Sequence, residues 1–229
     1  MKLFCLPYAG ASAFSIYTKY KKYNWSKGIE VVPIELPGKG IRMDEKPCSN
    51  MNELISDVVE LLNCNNDKYA ILGHSMGGLL AYEVAYYIEQ SNLLKPSHLF
   101  ISGYNPPFIL DKNISKYKMG DIVFLNYLKE MGGITDEVKE MTEFAEKFLP
   151  IIKNDFRILD GYRYSSKQII DMPTTVLYSD SDNKHNTIRK WSKLLSNVNF
   201  YRIQGDHYYI NSNYLQVAGI IDTILNTYG

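Results

Sequence analysis

The stretch Tyr69-Ala70-Ile71-Leu72-Gly73-His74-Ser75-Met76-Gly77-Gly78 constrains the fold more than any other part of the chain. A short apolar run passes directly into Gly-x-Ser-x-Gly, and Leu79 to Ile88 follow with one apolar side at helical period. A strand that turns at once into a helix leaves little room at the turn. Glycines two residues before and two after Ser75 remove the side chains that would collide there, so Gly73 and Gly77 have a steric reason to be present. The turn presents Ser75 Oγ beside a helix N-terminus, whose N–H groups and positive dipole end favour developing negative charge. Alone the pattern is weak, because a chain of this size matches it by chance in roughly one case in ten at average glycine and serine usage.

The rest of the chain supplies a matching context. Strands are expected at Lys2 to Leu6, Gly28 to Leu36, Tyr69 to Leu72, His98 to Ser102, Thr174 to Ser179 and Val198 to Ile203. Their near-continuous apolar character suits strands buried on both faces. Between them Leu54, Val58, Leu61 and Leu62 share a helical face, as do Leu79 to Ile88 and Leu215 to Leu225. Strand and helix alternate, which predicts an α/β fold with a mostly parallel sheet flanked by helices. From 111 to 164 no strand pattern occurs, only helical runs at Ile122 to Met131 and Val138 to Leu159, punctuated by Gly132-Gly133 and Pro150. This segment reads as a helical insertion able to cover a site at the C-terminal edge of the sheet.

Composition narrows the classes further. With 229 residues, 45% of them hydrophobic and 22% charged, residues 1–229 suffice for a single domain with one good-sized core. Lys and Arg total 25 against 25 Asp and Glu, so no global field favours nucleic acid. No run approaches 18 apolar residues, and the N-terminal Met1 to Leu6 meets Pro7 too soon for a signal segment, so a soluble cytoplasmic protein without membrane contact is expected. Cys5, Cys48 and Cys64 form no C-x-x-C pair, which points to reduced thiols and to no metal site.

A serine hydroxyl needs a general base and a third group to orient it. Of four histidines, His207 is the candidate base, in the glycine-containing loop Gln204-Gly205-Asp206-His207-Tyr208-Tyr209 between the last strand and the final helix. His74 adjoins the nucleophile on a sharp turn and is expected to pack or bond locally; His98 and His185 read as structural or solvated. The acid should follow the penultimate strand, where Asp180 and Asp182 compete, and reach past the loop favours Asp182. Asp206 reads as a turn former. Two oxyanion donors are expected: the N–H of Met76, after the nucleophile, and that of Ala9, in the small-residue loop Pro7-Tyr8-Ala9-Gly10-Ala11-Ser12.

These residues resemble the stand-alone type II thioesterases that accompany non-ribosomal peptide and polyketide synthases. The likeness spans nearly the whole chain. Its carriers are Leu3 to Gly10, Glu35-Leu36-Pro37-Gly38-Lys39-Gly40-Ile41-Arg42, Gly73 to Gly78, Met131-Gly132-Gly133, Leu149-Pro150, Asp155-Phe156, Tyr162-Arg163-Tyr164 and Gly205 to Tyr209. Gly10-Ala11-Ser12 departs from the family's usual glycine pair, and Ser179 stands where a glycine usually precedes the acid loop. The resemblance implies an α/β-hydrolase fold with a helical lid over 111–164, a Ser75, Asp182, His207 triad, and a carrier-protein domain as partner of a monomeric enzyme. It further implies no bound cofactor, the substrate being carried on the partner's 4′-phosphopantetheine arm. Lys39, Arg42, Lys153 and Arg163 are candidates by position to attract that arm's phosphate, against the plainer reading of solvated surface charge. Phe124, Tyr127 and Phe148 are expected in the helix core or the acyl pocket. Another serine hydrolase acting on oxygen esters, or a non-catalytic carrier-binding protein, would share much of this pattern.

Overall fold

The computed structural model describes all residues except 66, 110–114, 136, 138–141, 166–167, 182–184 and 228–229; the side chains of 143, 144 and 185 are also outside the description. Six strands, β1 (Lys2–Leu6), β2 (Glu30–Pro33), β3 (Tyr69–His74), β4 (His98–Ser102), β5 (Thr174–Tyr178) and β6 (Val198–Arg202), form one sheet in the order β2-β1-β3-β4-β5-β6. Every neighbouring pair is parallel. Parallel pairing requires crossovers, and these are helical: α1 (Ala13–Lys21), α2 (Met51–Asn63) and α3 (Met76–Glu89) follow the first three strands. α4 (Asp121–Glu130), α5 (Thr142–Lys147) and α6 (Leu149–Gly161) lie between β4 and β5, α7 (His185–Ile188) between β5 and β6, and α8 (Tyr209–Ser212) and α9 (Tyr214–Thr227) close the chain.

β3, β4 and β5 are buried at every position, as their unbroken apolar character requires. The edge strand β6 departs from that expectation. Only Val198 and Phe200 are half-buried, while Asn199, Tyr201 and Arg202 are exposed, so one face of this last strand meets solvent. β2 is shorter than the run Gly28 to Leu36: Gly28 turns at φ 54° before it, and at this sheet edge Pro33 is tolerated because N–H groups reach β1 on either side of it, that of Glu30 to Met1 O and that of Ile34 to Cys5 O.

Both sheet faces are covered. One apolar cluster joins β3 and β4 to α2 and α3 and includes Trp191; the other joins β1 to α1 and α9 through Tyr17, Tyr20, Val217 and Ile221. α2 starts on a reciprocal cap: Asn50 Oδ1 accepts the Glu53 N–H at 3.0 Å, and the Glu53 carboxylate accepts the Ser49 N–H at 2.7 Å. It buries Met51, Leu54, Val58 and Leu62, while Leu61, expected on the same face, is exposed.

A third, smaller cluster lies apart from the sheet. Phe124, Leu125 and Leu128 of α4 meet Leu149 and Ile152 of α6, with Tyr127 and Phe156 packed against them. Phe148 is exposed. The helical run expected over Val138 to Leu159 is divided: 138–141 lie outside the described residues, and α6 restarts after Phe148 with Pro150 in its first turn, where a missing N–H costs nothing.

Candidate active site

Ser75 stands between β3 and α3 with φ 55° and ψ −119°, the one non-glycine residue with positive φ among those described. Such a conformation costs on the order of 1–3 kcal/mol and persists only where its surroundings leave no alternative. Here the surroundings are tight. A Cβ on Gly73 would lie 1.9 Å from the Gly77 carbonyl oxygen, and one on Gly77 would lie 2.5 Å from that of Leu6, so both glycines are sterically required. The Ser75 N–H donates to Ser102 O at 2.8 Å, extending the β3–β4 ladder through the turn, and the Gly78 N–H returns to Ser75 O at 2.8 Å.

His207 Nε2 lies 2.9 Å from Ser75 Oγ, across 132 residues of sequence. For the serine hydroxyl to donate to Nε2, the imidazole proton must sit on Nδ1. Asp182, the favoured acid, lies outside the described residues. Asp180 is an exposed partner of Arg202, whose Nε donates to its Oδ2 at 2.6 Å. Asp206 accepts the Tyr208 N–H at 2.8 Å, the turn-forming role expected of it.

The loop that carries His207 is fastened through its carbonyls. Ser179 and Ser181 hydroxyls both donate to Gly205 O, so Ser179 ties the end of β5 to the His207 loop. His74 fastens His207 itself. Its buried ring contacts the His207 carbonyl through Nε2 at 2.9 Å and Ser102 Oγ through Nδ1 at 2.8 Å. A carbonyl only accepts, so His74 carries its proton on Nε2, and Nδ1 accepts the Ser102 hydroxyl proton. Burial, aided by the nearby His207, holds His74 well below the ordinary histidine value of 6.5 and keeps it neutral. Sequence reasoning placed His74 in local packing and missed this reach across 133 residues. The Tyr209 hydroxyl, donating to Leu177 O at 2.9 Å and lying 2.8 Å from Ser102 Oγ, extends the network and was not anticipated either. His98 is structural, as expected: its Nε2 meets Thr175 Oγ1 at 2.9 Å, and burial lowers its pKa to about 4. The His185 side chain lies outside the description.

In the loop after β1, the Gly10 N–H donates to Asp155 Oδ2 at 2.6 Å and the Ala11 N–H to Tyr8 O at 3.2 Å. Among the described residues, the N–H groups of Ala9 and Met76 donate to no protein acceptor. These are the two groups expected as oxyanion donors, and both keep their bonding capacity unspent; the Leu6 and Pro7 carbonyls, just before Ala9, lie against Gly77 of the serine turn.

The four candidate cations are mostly committed elsewhere. Lys39 is 5% exposed and ion-paired with Asp155, so neither a free phosphate ligand nor a solvated surface charge describes it. Arg42 grips Asp57 and Glu45, which raises its pKa, chiefly through the hydrogen bond to Asp57. Lys153 pairs with Asp121 and donates to Met119 O at 2.8 Å. Arg163 donates to the carbonyls of Asp160 and Tyr162.

Comparison with known proteins identifies the family. The family described as thioesterase domain matches residues 1–225. The chain belongs to the thioesterase family. Its members are hydrolases of thioesters. ClbQ, from the colibactin NRPS/PKS pathway, superposes with a TM-score of 0.91 at 28% identity, over 99% of this chain and 97% of that one. BorB, the type II thioesterase of the borrelidin biosynthetic cluster, gives 0.85 at 26% identity over 96% and 90%. A curated relative from Brevibacillus parabrevis, linear gramicidin dehydrogenase LgrE, is 30% identical over 99% of this chain and 88% of its own length.

Two outcomes are expected from this packing. Gly73→Ala forces its methyl into the Gly77 carbonyl and should destabilise the thioesterase by about 1–3 kcal/mol or more in urea titration, with loss of activity; an unchanged midpoint would contradict the required contact. His74 and His98 are neutral when folded and protonate near pH 6.5 when unfolded, so the unfolded chain binds more protons below that value and stability falls with the pH. Denaturation between pH 6.5 and 5 should show His74→Gln losing stability less steeply, by up to about 1.4 kcal/mol per pH unit; parallel slopes would mean that His74 is not held neutral.

Proposed function

We propose that this thioesterase clears stalled or aberrant acyl groups from the 4′-phosphopantetheine arms of carrier-protein domains of a non-ribosomal peptide or polyketide synthase. The observation that carries the reading is the 2.9 Å approach of His207 Nε2 to Ser75 Oγ at the strained turn. Likeness to ClbQ and BorB supports the substrate class.

In the proposed reaction Ser75 Oγ attacks the thioester carbonyl carbon while His207 Nε2 takes its proton. Asp182 accepts the Nδ1–H and stabilises the imidazolium that forms. The oxyanion of the tetrahedral intermediate takes the unspent N–H groups of Ala9 and Met76. The C–S bond then breaks, and the pantetheine sulfur leaves with the proton from His207. A thiol of pKa near 8.5 departs far more readily than an amine, so this step needs little acid assistance. Water, deprotonated by His207, attacks the acyl-serine, and the carboxylic acid is released as Ser75 regains its proton. Protein groups, water and substrate balance every step.

Residues 111–164 serve in this reading as a helical lid within a single domain spanning 1–229. The separate apolar cluster of α4 and α6 supports it, since that cluster packs outside the two layers that cover the sheet. We assign the enzyme to the cytoplasm as a monomer, where its three free cysteines remain reduced. No helix among the described residues is long and apolar enough to cross a membrane.

Turnover of acyl carrier protein or acyl-pantetheine thioesters should exceed that of the matching oxygen esters, and Ser75→Ala should lower it by more than about 10³-fold while the thermal unfolding curve stays put. A preference for esters, or activity surviving in Ser75→Ala, would refute the assignment. Asp182→Asn should cost about 10⁴-fold in kcat, as loss of the tautomer-fixing acid does elsewhere, and Asp180→Asn no more than about threefold. The reverse ranking would move the acid to position 180.

A further inference from the structure

We propose that Asp155 is a positioning residue for the oxyanion loop, through which α6 sets the aim of the Ala9 N–H. The proposal rests on the reading of Ala9 as an oxyanion donor. Asp155 lies in the middle of α6, is 2% exposed, and spends one carboxylate oxygen on two partners from distant segments: the Gly10 N–H at 2.6 Å and the Lys39 ammonium. The Gly10 N–H belongs to the peptide plane that Ala9 begins. Holding that plane anchors the backbone next to the plane that carries the Ala9 N–H, from which the φ and ψ of Ala9 alone separate it.

Three further observations converge on the same loop. Gly10 adopts φ 79°, and a Cβ there would lie 2.5 Å from Ile152 Cγ1, so α6 touches the loop backbone directly. Glu35, also buried, holds the other end of the loop by accepting the Ser12 hydroxyl at 2.6 Å and the Ala13 N–H at 2.9 Å. Ala9, directly before the first of these anchors, keeps its donor unspent. Lys39 orients Asp155 and neutralises it; without Lys39 the carboxylate would be a lone buried charge. A buried ion pair is poor evidence for stability, since apolar pairs of similar volume often do as well. Its placement against the backbone beside the nucleophile gives it a task that an apolar pair cannot perform. Displacing α6 and releasing the oxyanion loop are therefore one event.

The test compares paired variants, so that no charge is left buried alone. Lys39→Met with Asp155→Leu removes the acceptor for Gly10; Lys39→Met with Asp155→Asn keeps a neutral one. Both are assayed on an acyl-pantetheine thioester and on an acyl trifluoromethyl ketone, whose tetrahedral adduct with Ser75 carries the oxyanion. The leucine pair should lose about tenfold to a hundredfold in kcat with KM within about twofold, and the same factor in ketone affinity. The asparagine pair should recover at least a third of that loss on a logarithmic scale, because its amide oxygen still accepts the Gly10 N–H. If the leucine pair does not fold, the asparagine pair alone decides: a fall of about threefold to tenfold, equal in kcat and ketone affinity, supports the proposal. Wild-type kcat and ketone affinity in the folded leucine pair overturn it, as does a kcat loss with ketone affinity unchanged. Ketone that fails to bind the unaltered enzyme points instead to the oxyanion reading underneath, and the proposal falls with it.

Discussion

The backbone of Ser75 is the constraint on which the rest of the structure depends. Left to itself, a serine at φ 55° relaxes into an ordinary turn and carries its hydroxyl away from the sheet edge. It stays because β3 is locked between β1 and β4 in register through Gly73 and His74, and because α3 is buried at eleven of its fourteen positions. The local cost of roughly 1–3 kcal/mol is small beside the apolar burial of that strand and helix, each large buried side chain contributing about 1.5–3 kcal/mol. The core thus supplies the rigidity that a reactive hydroxyl requires, and the glycines permit the approach that makes the core possible.

Around this fixed point the mobile parts of the chemistry are held by their backbones, which leaves their reactive atoms unencumbered. His207 is gripped at its carbonyl by His74, and two residues earlier Gly205 is gripped at its carbonyl by Ser179 and Ser181. The Ser102 hydroxyl, buried behind Ser75, touches both His74 and Tyr209. With His74 neutral, three protons serve four contacts: His74 donates to the His207 carbonyl, Tyr209 to Leu177 O and Ser102 to His74 Nδ1, so the Ser102–Tyr209 contact carries no proton of its own. The His74 proton is thereby committed to a backbone carbonyl. Burial keeps the two adjacent histidines chemically distinct, although they lie 5.2 Å apart between ring centroids.

Much of this was legible in the sequence because it is local. The strand, turn and helix around Ser75, the positions of His207 and Asp206, and the four most buried strands follow from periodicity, glycine placement and loop position within windows of a dozen residues. Other features were not legible, each for a physical reason. Lys39 and Asp155 are 116 residues apart, and a lysine in a Pro-Gly-Lys-Gly loop has the composition of a surface turn; only the closure of α6 over the β1 loop takes it from water. Val198 to Arg202 is as apolar as an inner strand at alternate positions, yet its place at the end of the sheet order decides its exposure. Ser179 stands in the sequence as a departure from a family glycine, and nothing local to it shows that its hydroxyl reaches Gly205 O, 26 residues away. His74 was judged from its neighbour in sequence, while its partners come from β4 and from the loop before α8.

α6 has two unlike ends, and the difference bears on how a substrate reaches Ser75. Its C-terminal part is embedded in the main core through Ile158, with the Tyr162 hydroxyl donating to the buried Glu83 at 2.5 Å. Its N-terminal part belongs to the small cluster with α4, and beside the Ile152 side chain against Gly10 it meets the rest of the protein through polar contacts: Asp155 with Gly10 and Lys39, and Asn154 Nδ2 with the Cys48 carbonyl at 3.0 Å. Apolar burial is lost in proportion to area and resists partial opening, whereas hydrogen bonds at a rim can be exchanged for water at a net cost of about 0.5–1.5 kcal/mol each. If α6 acts as the proposed lid, its opening would pivot about Ile158 and lift the end that carries Asp155. The contacts first to yield would then be those that hold the loop of Ala9 and Gly10, so the proposed site would be assembled only while the helix is seated.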